Sequence, residues 1–409
     1  MTNPAPLPRA VVWSFIALAV IAVLVPTLAP AGGEEPEPLV YCIVCGEQGV
    51  ADALTNLILF LPLGAALGLT GGRSRWLIVA GALLSGAIET TQLIIPGRDP
   101  SIGDLLFNTL GTAVGLVILR TAASWLAPRR PHAALLGAAA AAVTMLGLSS
   151  WALQPDLPES RYFGQWTPNL GHLTWYRARV LHATLGDLPL PPRHLADSAA
   201  VRTRLLEGTP LSVRGIAGPR TGGLGSLFSI YDDRHREIVL LGPDRDDLVL
   251  RYRIRAAGWG LDAPDLRLLG AMRNVHRGDT LSIAVRRTPQ GWCLASGDTT
   301  ACNLGYTPGR AWALLMYPEG FPQWLRRLLD AGWMAALLVP VGLWARRDAA
   351  TLGAALAVIV ASAAFPAVLG LRRPTALEWA GVAAGYAAGL GIATLARKRG
   401  GHALPPRSP

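Results

Sequence analysis

Three pairs of polar residues at helical spacing interrupt otherwise apolar sequence. Asp52 and Asn56 stand four apart, Glu89 and Gln92 three apart, and Asp104 and Asn108 four apart, with Arg98 between the second and third pairs. Residues three or four apart project from one face of an α-helix, so each pair presents a carboxyl and an amide together. A carboxylate in an apolar segment is costly unless it is paired or used. Arg98 adds a guanidinium suited to bidentate contact with phosphate or carboxylate. Such a set binds a polar headgroup, with Asp52, Asn56, Glu89, Gln92, Arg98, Asp104 and Asn108 as the binding residues, or it performs acid–base chemistry with Glu89 as base or proton carrier. The plainer alternative is a bonding network that holds helices together, aided by the GxxxG-like spacings of Gly64, Gly68, Gly111 and Gly115. No recognised nucleophile or metal set accompanies the cluster, so binding is preferred to catalysis.

The elements that position these residues are membrane spans. Apolar runs long enough to cross a hydrocarbon core of about 30 Å begin near Ala10, Ala53, Trp76, Leu105, Ala133, Leu328, Ala349 and Leu377. The hydrophobic share is 51% and the mean hydropathy +0.35, too high for an all-soluble chain. The expected fold class is therefore an α-helical polytopic membrane protein of about eight spans with an inserted all-β, jelly-roll-like sandwich. The expected domains are a membrane domain over 1–152, with spans near 10–29, 53–70, 76–95, 104–120 and 133–152, and a sandwich over 153–325. A second membrane domain follows over 326–399, with spans near 328–344, 349–370 and 377–396, and a tail over 400–409. The first run continues to Leu28 before an acidic loop holding Glu34, Glu35 and Glu37, which fits an uncleaved first helix better than a signal peptide.

The formal net charge of +10 arises largely from arginines at span ends, not from a nucleic-acid surface. Alternating the spans from an inside N-terminus places Arg73, Arg75, Arg120, Arg129, Arg130, Arg346, Arg347, Arg397, Lys398 and Arg399 inside, as basic cytoplasmic loops require. Only Arg98, Arg372 and Arg373 remain in short outer loops. Both termini are then cytoplasmic, and the 155–325 insert faces the outer side of a bacterial inner membrane. The polar pairs gather at the outer leaflet, with Glu89 about 10 Å below Pro96 by helical rise.

The four cysteines all fall in outward-facing segments, where disulfides form. Cys293 and Cys302 bracket a Ser-Gly-Asp turn and are expected to clip a β-hairpin. Cys42 and Cys45 form a CIVC motif with three readings: a small disulfide, a redox pair, or half of a metal site. A structural disulfide leads, because no thioredoxin-like βαβ pattern surrounds it.

Within the insert, Ser226 to Tyr231, Glu237 to Leu241, Leu248 to Ile254, Thr280 to Arg286 and Ala311 to Tyr317 alternate and are punctuated by Gly, Pro and Asp, which predicts strands without helical periodicity. Their order, ending in GWCLASGDTTACNL, resembles laminin G-like or concanavalin A-like jelly rolls. That resemblance admits calcium ligands among Asp232, Asp233, Asp244, Asp246 and Asp247, although acidic turns are the commoner use of such residues. His172, His182, His194, His235 and His276 lack metal-ligand spacing, so no metal site is expected. Trp166, Trp175, Trp259 and Trp292 serve packing or interfacial anchoring more often than sugar stacking. There is no P-loop, GxGxxG junction or GxSxG elbow, and no cofactor is expected.

The strings DALTNLILFLPLG and IETTQLIIPGRDPSIGDLLFNTLG resemble the VanZ-like family, whose pattern runs D-x-x-x-N, F-x-P-L-G, E-x-x-Q, a P-G-R turn and D-x-x-x-N-x-x-G. Asp52, Asn56, Phe60, Pro62, Gly64, Glu89, Gln92, Pro96, Gly97, Arg98, Asp104, Asn108 and Gly111 match it, over about residues 39 to 122. The resemblance implies a cell-envelope membrane protein from a family associated with glycopeptide resistance but without an agreed biochemical activity. The outer insert and the last three spans are additions to that unit, so resistance is not transferred. The expected partners are the lipid bilayer and a lipid-linked glycan or envelope polysaccharide.

Overall fold

The computed structural model describes residues 8–29, 41–44, 46–96, 98, 100–171, 173–288, 291–317 and 321–401. Cys45, Gly97, His172, the acidic loop of Glu34, Glu35 and Glu37, and residues 402–409 of the expected tail lie outside the described residues. The chain packs into two compact units, Met1–Ala142 with Ala335–Ala357 and Gly381–Pro409, and Val143–Met334 with Val358–Ala380.

The first unit is helical. It begins with α1 (Arg9–Leu28), α2 (Gly49–Gly68), α3 (Ser74–Gln92), α4 (Ile102–Arg120) and the short α5 (Ala122–Leu126). Four further long helices, α6 (Pro131–Ala152), α8 (Gln323–Trp344), α9 (Ala349–Val368) and α10 (Ala376–Gly401), each contribute residues to both units. Among the described residues, α1, α2, α4, α6, α8, α9 and α10 are long and apolar enough to cross a membrane. The eighth expected span, α3, is helical but falls short in hydropathy, because Ser74, Arg75, Ser85, Glu89, Thr90, Thr91 and Gln92 dilute its apolar residues. Its 19 residues nonetheless reach about 28 Å at 1.5 Å per residue. Bonds at both of its ends show that it runs the full length of its neighbour: Arg120, ending α4, donates to Ser74 Oγ and the Gly72 carbonyl, while Glu89 meets the residue that opens α4.

Helices α2 and α4 lie backbone to backbone. A β-carbon on Gly64 would overlap the Thr112 carbonyl, one on Gly111 the Leu57 carbonyl, and one on Gly115 the Leu61 carbonyl. The small-residue spacing is thus used for close approach, where packing replaces the missing hydrophobic drive between helices in lipid. Phe60 and Leu63 fill the space toward α1 and α3 with Ile16, Val23 and Ile88.

In the second unit two antiparallel sheets form a β-sandwich. One has five strands in the order β1 (Tyr162–Trp166), β5 (Phe228–Asp232), β6 (Glu237–Asp244), β7 (Asp247–Tyr252) and β8 (Leu266–Leu268). The other has six, in the order β11 (Thr299–Leu304), β10 (Gly291–Ser296), β9 (Thr280–Thr288), β4 (Leu211–Ile216), β2 (Arg179–Leu185) and β3 (Leu188–Pro189). Alternation puts Val213, Ile283 and Val285 of one sheet and Ile230, Leu241 and Leu250 of the other into a common core. The Cys293–Cys302 disulfide joins β10 to β11 across the turn at Gly297, as expected.

Two local expectations fail. Ala311 to Tyr317 is no strand: Pro308–Leu314 is a 3-10 helix, opened by Pro308, which has a fixed φ and no N–H to give to a sheet. Its Gly309 N–H donates to Glu378 Oε1 at 2.9 Å, and Trp312 Nε1 donates to Asp330 Oδ1 at 2.7 Å. The insert also contains a helix, α7 (Ser198–Glu207), whose signature was present in sequence: Asp197 caps the Ala200 N–H and Gly208 ends it in the left-handed region.

Of the carboxylates weighed for calcium, Asp232, Asp244, Asp246 and Asp247 are engaged by arginine. Arg236 Nε donates to Asp232 Oδ2 at 2.7 Å, and Arg267 reaches Asp244 and Asp265 at 2.5 Å and Asp247 at 3.5 Å. Arg251 forks onto both oxygens of Glu237 at 2.6 and 2.7 Å, the bidentate geometry that a planar guanidinium favours. Burial pushes the Asp265 carboxyl up, but Arg267, Arg326 and Arg310 outweigh it and hold the group below its ordinary range.

Candidate functional site

The polar pairs converge where α2 and α4 begin and α3 ends. Ser101 organises this end. Its hydroxyl accepts from the Asp104 N–H at 3.0 Å, capping α4, and its own N–H donates to Glu89 Oε2 at 2.9 Å. Glu89 is 8% exposed and is held against the N-terminus of α4, where the helix dipole favours negative charge. Asp104 Oδ1 accepts from Asn56 Nδ2 at 2.7 Å, so α2, α4, the N-cap and α3 are linked in sequence through Asn56, Asp104, Ser101 and Glu89.

A second cluster ties α3 and the following loop to α1. Gln92 Nε2 donates to the Thr27 carbonyl at 2.9 Å. Arg98 donates through Nε to Ala29 O at 2.8 Å and through Nη2 to Pro26 O at 2.5 Å and Ala29 O at 2.6 Å. The last carbonyls of a helix have no partner within it, and a guanidinium there also complements the dipole. One turn deeper, Asn108 Nδ2 donates to Ser85 Oγ at 2.9 Å. The Asn108 Oδ1 is buried and has no protein partner among the described residues.

Asn56 and Asp104 thus come together directly, Glu89 joins them through Ser101, Gln92 and Arg98 face the end of α1, and Asn108 lies below. Asp52 is exposed in the first turn of α2, one turn before Asn56. Sequence reasoning missed Ser101, Ser85 and the α1 carbonyls. Ser101 carried a signal, since Ser-x-x-Asp before an apolar run marks a helix start; backbone carbonyls carry none. It also passed over Glu378, whose signal was Thr375-x-x-Glu: the Thr375 N–H donates to Glu378 Oε2 at 2.6 Å and the Glu378 N–H to Thr375 Oγ1 at 3.3 Å, a reciprocal capping box.

Beside the first cluster an open groove of about 830 Å³ follows α3 past Val79, Leu83, Gly86, Thr90 and Ile94, with Leu105 of α4 on its far wall. Thr90 and Leu105 immediately follow Glu89 and Asp104 in the chain, so the groove runs along the same two helices that carry the carboxyls, although neither carboxyl lines it. Among the described residues no group of three or more His, Cys, Asp or Glu side chains is placed to hold a metal ion.

The VanZ/LLP1 family model matches residues 14–123. The matched segment runs from α1 through α4 and carries every polar residue of both clusters. It starts earlier than the motifs alone indicated, and the bonds of Gln92 and Arg98 to α1 give the physical reason: α1 is bonded into the same unit. No curated protein and no solved structure matches the chain.

Proposed function

We propose that the α1–α4 unit holds a polar lipid, with its headgroup at Glu89, Asp104 and Asn56 and an acyl chain in the groove along α3. The chain then serves the cell envelope as a binding protein for a lipid or lipid-linked glycan at the outer leaflet of the inner membrane, with both termini cytoplasmic. The observation that supports this reading is an apolar groove along α3 and α4, the two helices that carry the buried Glu89 carboxyl and its partner Ser101–Asp104 cap. Apolar walls ending in a few convergent polar groups are the usual form of a small-molecule site, and packing alone rarely requires a carboxyl where Gln or Ser would serve. In this reading Arg98 and Gln92 are positioning residues that fix α1 against the site, and Asn108 Oδ1 offers a further acceptor below it.

Native mass spectrometry of the purified protein tests the proposal. A lipid retained by the wild type and lost both in Glu89→Gln and in Gly86→Leu, which fills the groove, is the expected result. Equal retention by all three proteins overturns it, as does the absence of any bound species with both variants merely less stable, which makes the clusters packing devices.

Burial of Glu89 favours a second reading, an acid–base enzyme acting on a lipid-linked substrate. It requires that the purified protein convert a lipid-linked glycan and that Glu89→Gln abolish conversion while the fold survives.

A further inference from the structure

The two sheets of the sandwich differ in charge. The five-stranded sheet carries Asp232, Glu237, Asp244 and Asp247, each joined to an arginine. The strands of the six-stranded sheet contain no Asp or Glu, yet they carry Arg179, His182, Arg214, Arg286 and Arg287. Arg287 turns toward the core end, where it lines a small cavity with Tyr252 and Trp292. The remaining four face outward and are exposed.

Strand register turns this composition into a surface. His182 lies opposite Arg214, and Arg214 opposite Ser282, in one row. The next row crosses five strands as Thr184, Ser212, Ala284, Ala295 and Thr300, all small. Beyond it Arg286 lies opposite Cys293. Strands stand about 4.8 Å apart, so the small-residue row is about 19 Å long, and rows two residues apart are separated by about 6.6 Å. The result is a shallow floor of hydroxyls and methyls with Arg214 and His182 along one side and Arg286 along the other. Among the described residues Arg179, Arg214 and Arg286 have no carboxylate partner. Acids stand in the turns that flank these strands: Asp187 is engaged by Arg204, Asp279 accepts from the His276 N–H, and Asp298 lies in the β10–β11 turn.

We infer that this face binds a linear anionic polysaccharide, with the chain lying along the small-residue row and its carboxylates meeting Arg214 and Arg286 on opposite sides. Three features select that occupant. The charge is of one sign along the face, guanidinium forks match carboxylates in a bidentate fashion, and the floor is low and hydroxylated. A face that docks on a bilayer carries aromatic or large apolar groups to enter the interface; this row has none, and among the described residues of these strands Leu181 of β2 is the one exposed large apolar side chain. The inference rests on the reading of the chain as an envelope protein for where such a polymer is met, and it is independent of the Glu89 site.

The test uses the full chain in phosphatidylcholine nanodiscs, presented to immobilised polygalacturonate, to neutral dextran, and to vesicles containing phosphatidylglycerol. The expected result is retention on polygalacturonate, absent on dextran and weakened by salt. The double variant Arg214→Ser/Arg286→Ser should retain at least about tenfold less, since two charge-assisted contacts are lost, while Arg193→Ser, off the sheet, and Glu89→Gln behave as wild type. Unchanged retention in the double variant overturns the inference, as does failure of the wild type to bind polygalacturonate. Binding to the anionic vesicles in place of the glycan overturns it too and assigns the face to a membrane surface. Because Glu89→Gln is carried through the same assay, failure of the lipid reading and failure of this one are separable.

Discussion

Asn56 Nδ2 donates to Asp104 Oδ1 at 2.7 Å across 48 positions of sequence, joining the second turn of α2 to the first turn of α4. The two helices therefore run parallel, with α3 returning the chain between them, and the bond fixes their relative height. Asn108 and Ser85 repeat the arrangement one turn deeper between α4 and α3. Removing one partner of such a bond leaves the other's polar atom unsatisfied, which is costly where water is scarce.

Asn56→Leu removes this donor while keeping side-chain volume. It should lower stability by about 1–3 kcal/mol, read as a fall in the thermal midpoint of the detergent-purified protein. An unchanged midpoint means the two helices are held by backbone packing alone.

Gly64→Ala places a β-carbon on the Thr112 carbonyl and forces α2 away from α4. Overpacking of this kind costs about 1–3 kcal/mol or more, so the variant should unfold at lower temperature and lose any lipid held between α3 and α4. Gly137→Ala is the control. Nothing lies within 4 Å of its added carbon, and alanine is the better helix former by about 0.5–1 kcal/mol, so its midpoint should stay level or rise.

Asp265→Asn leaves Arg267 and Arg326 without the carboxylate they share. Breaking a buried ion pair by removing one member costs about 3–5 kcal/mol, which should appear in the tryptophan-fluorescence melt of the second unit. The pH dependence has a definite sign. The folded carboxyl ionises below its unfolded value, so its contribution is complete above about pH 4, the ordinary range of an aspartate, and is lost as pH falls through the depressed value. Wild-type stability should therefore hold from neutral down to that range and then decline. Asp265→Asn should start lower and show a shallower acid limb.

The sequence by itself determined what local periodicity determines. Long apolar runs marked the helices, i, i+4 spacing put Asp104 and Asn108 on one face, and a turn between Cys293 and Cys302 predicted the clipped hairpin. The glycines of α2 and α4 announced close packing because only a residue without a β-carbon tolerates it. Tertiary structure decided who meets whom. Arg98, read as a ligand for an anion, has its guanidinium on the carbonyls that end α1, groups every helix possesses and no side-chain pattern reveals. The apparent strand near Ala311 is a 3-10 helix whose Gly309 N–H and Trp312 Nε1 donate to Glu378 and Asp330, partners that lie later in the chain. The basic face of the six-stranded sheet was equally invisible, because Arg214 and Arg286 are 72 residues apart in sequence and came to flank one row of the same face only when β4 paired with β9. Strand register is set by which hydrophobic faces must be buried together, and that condition is satisfied by the whole domain at once.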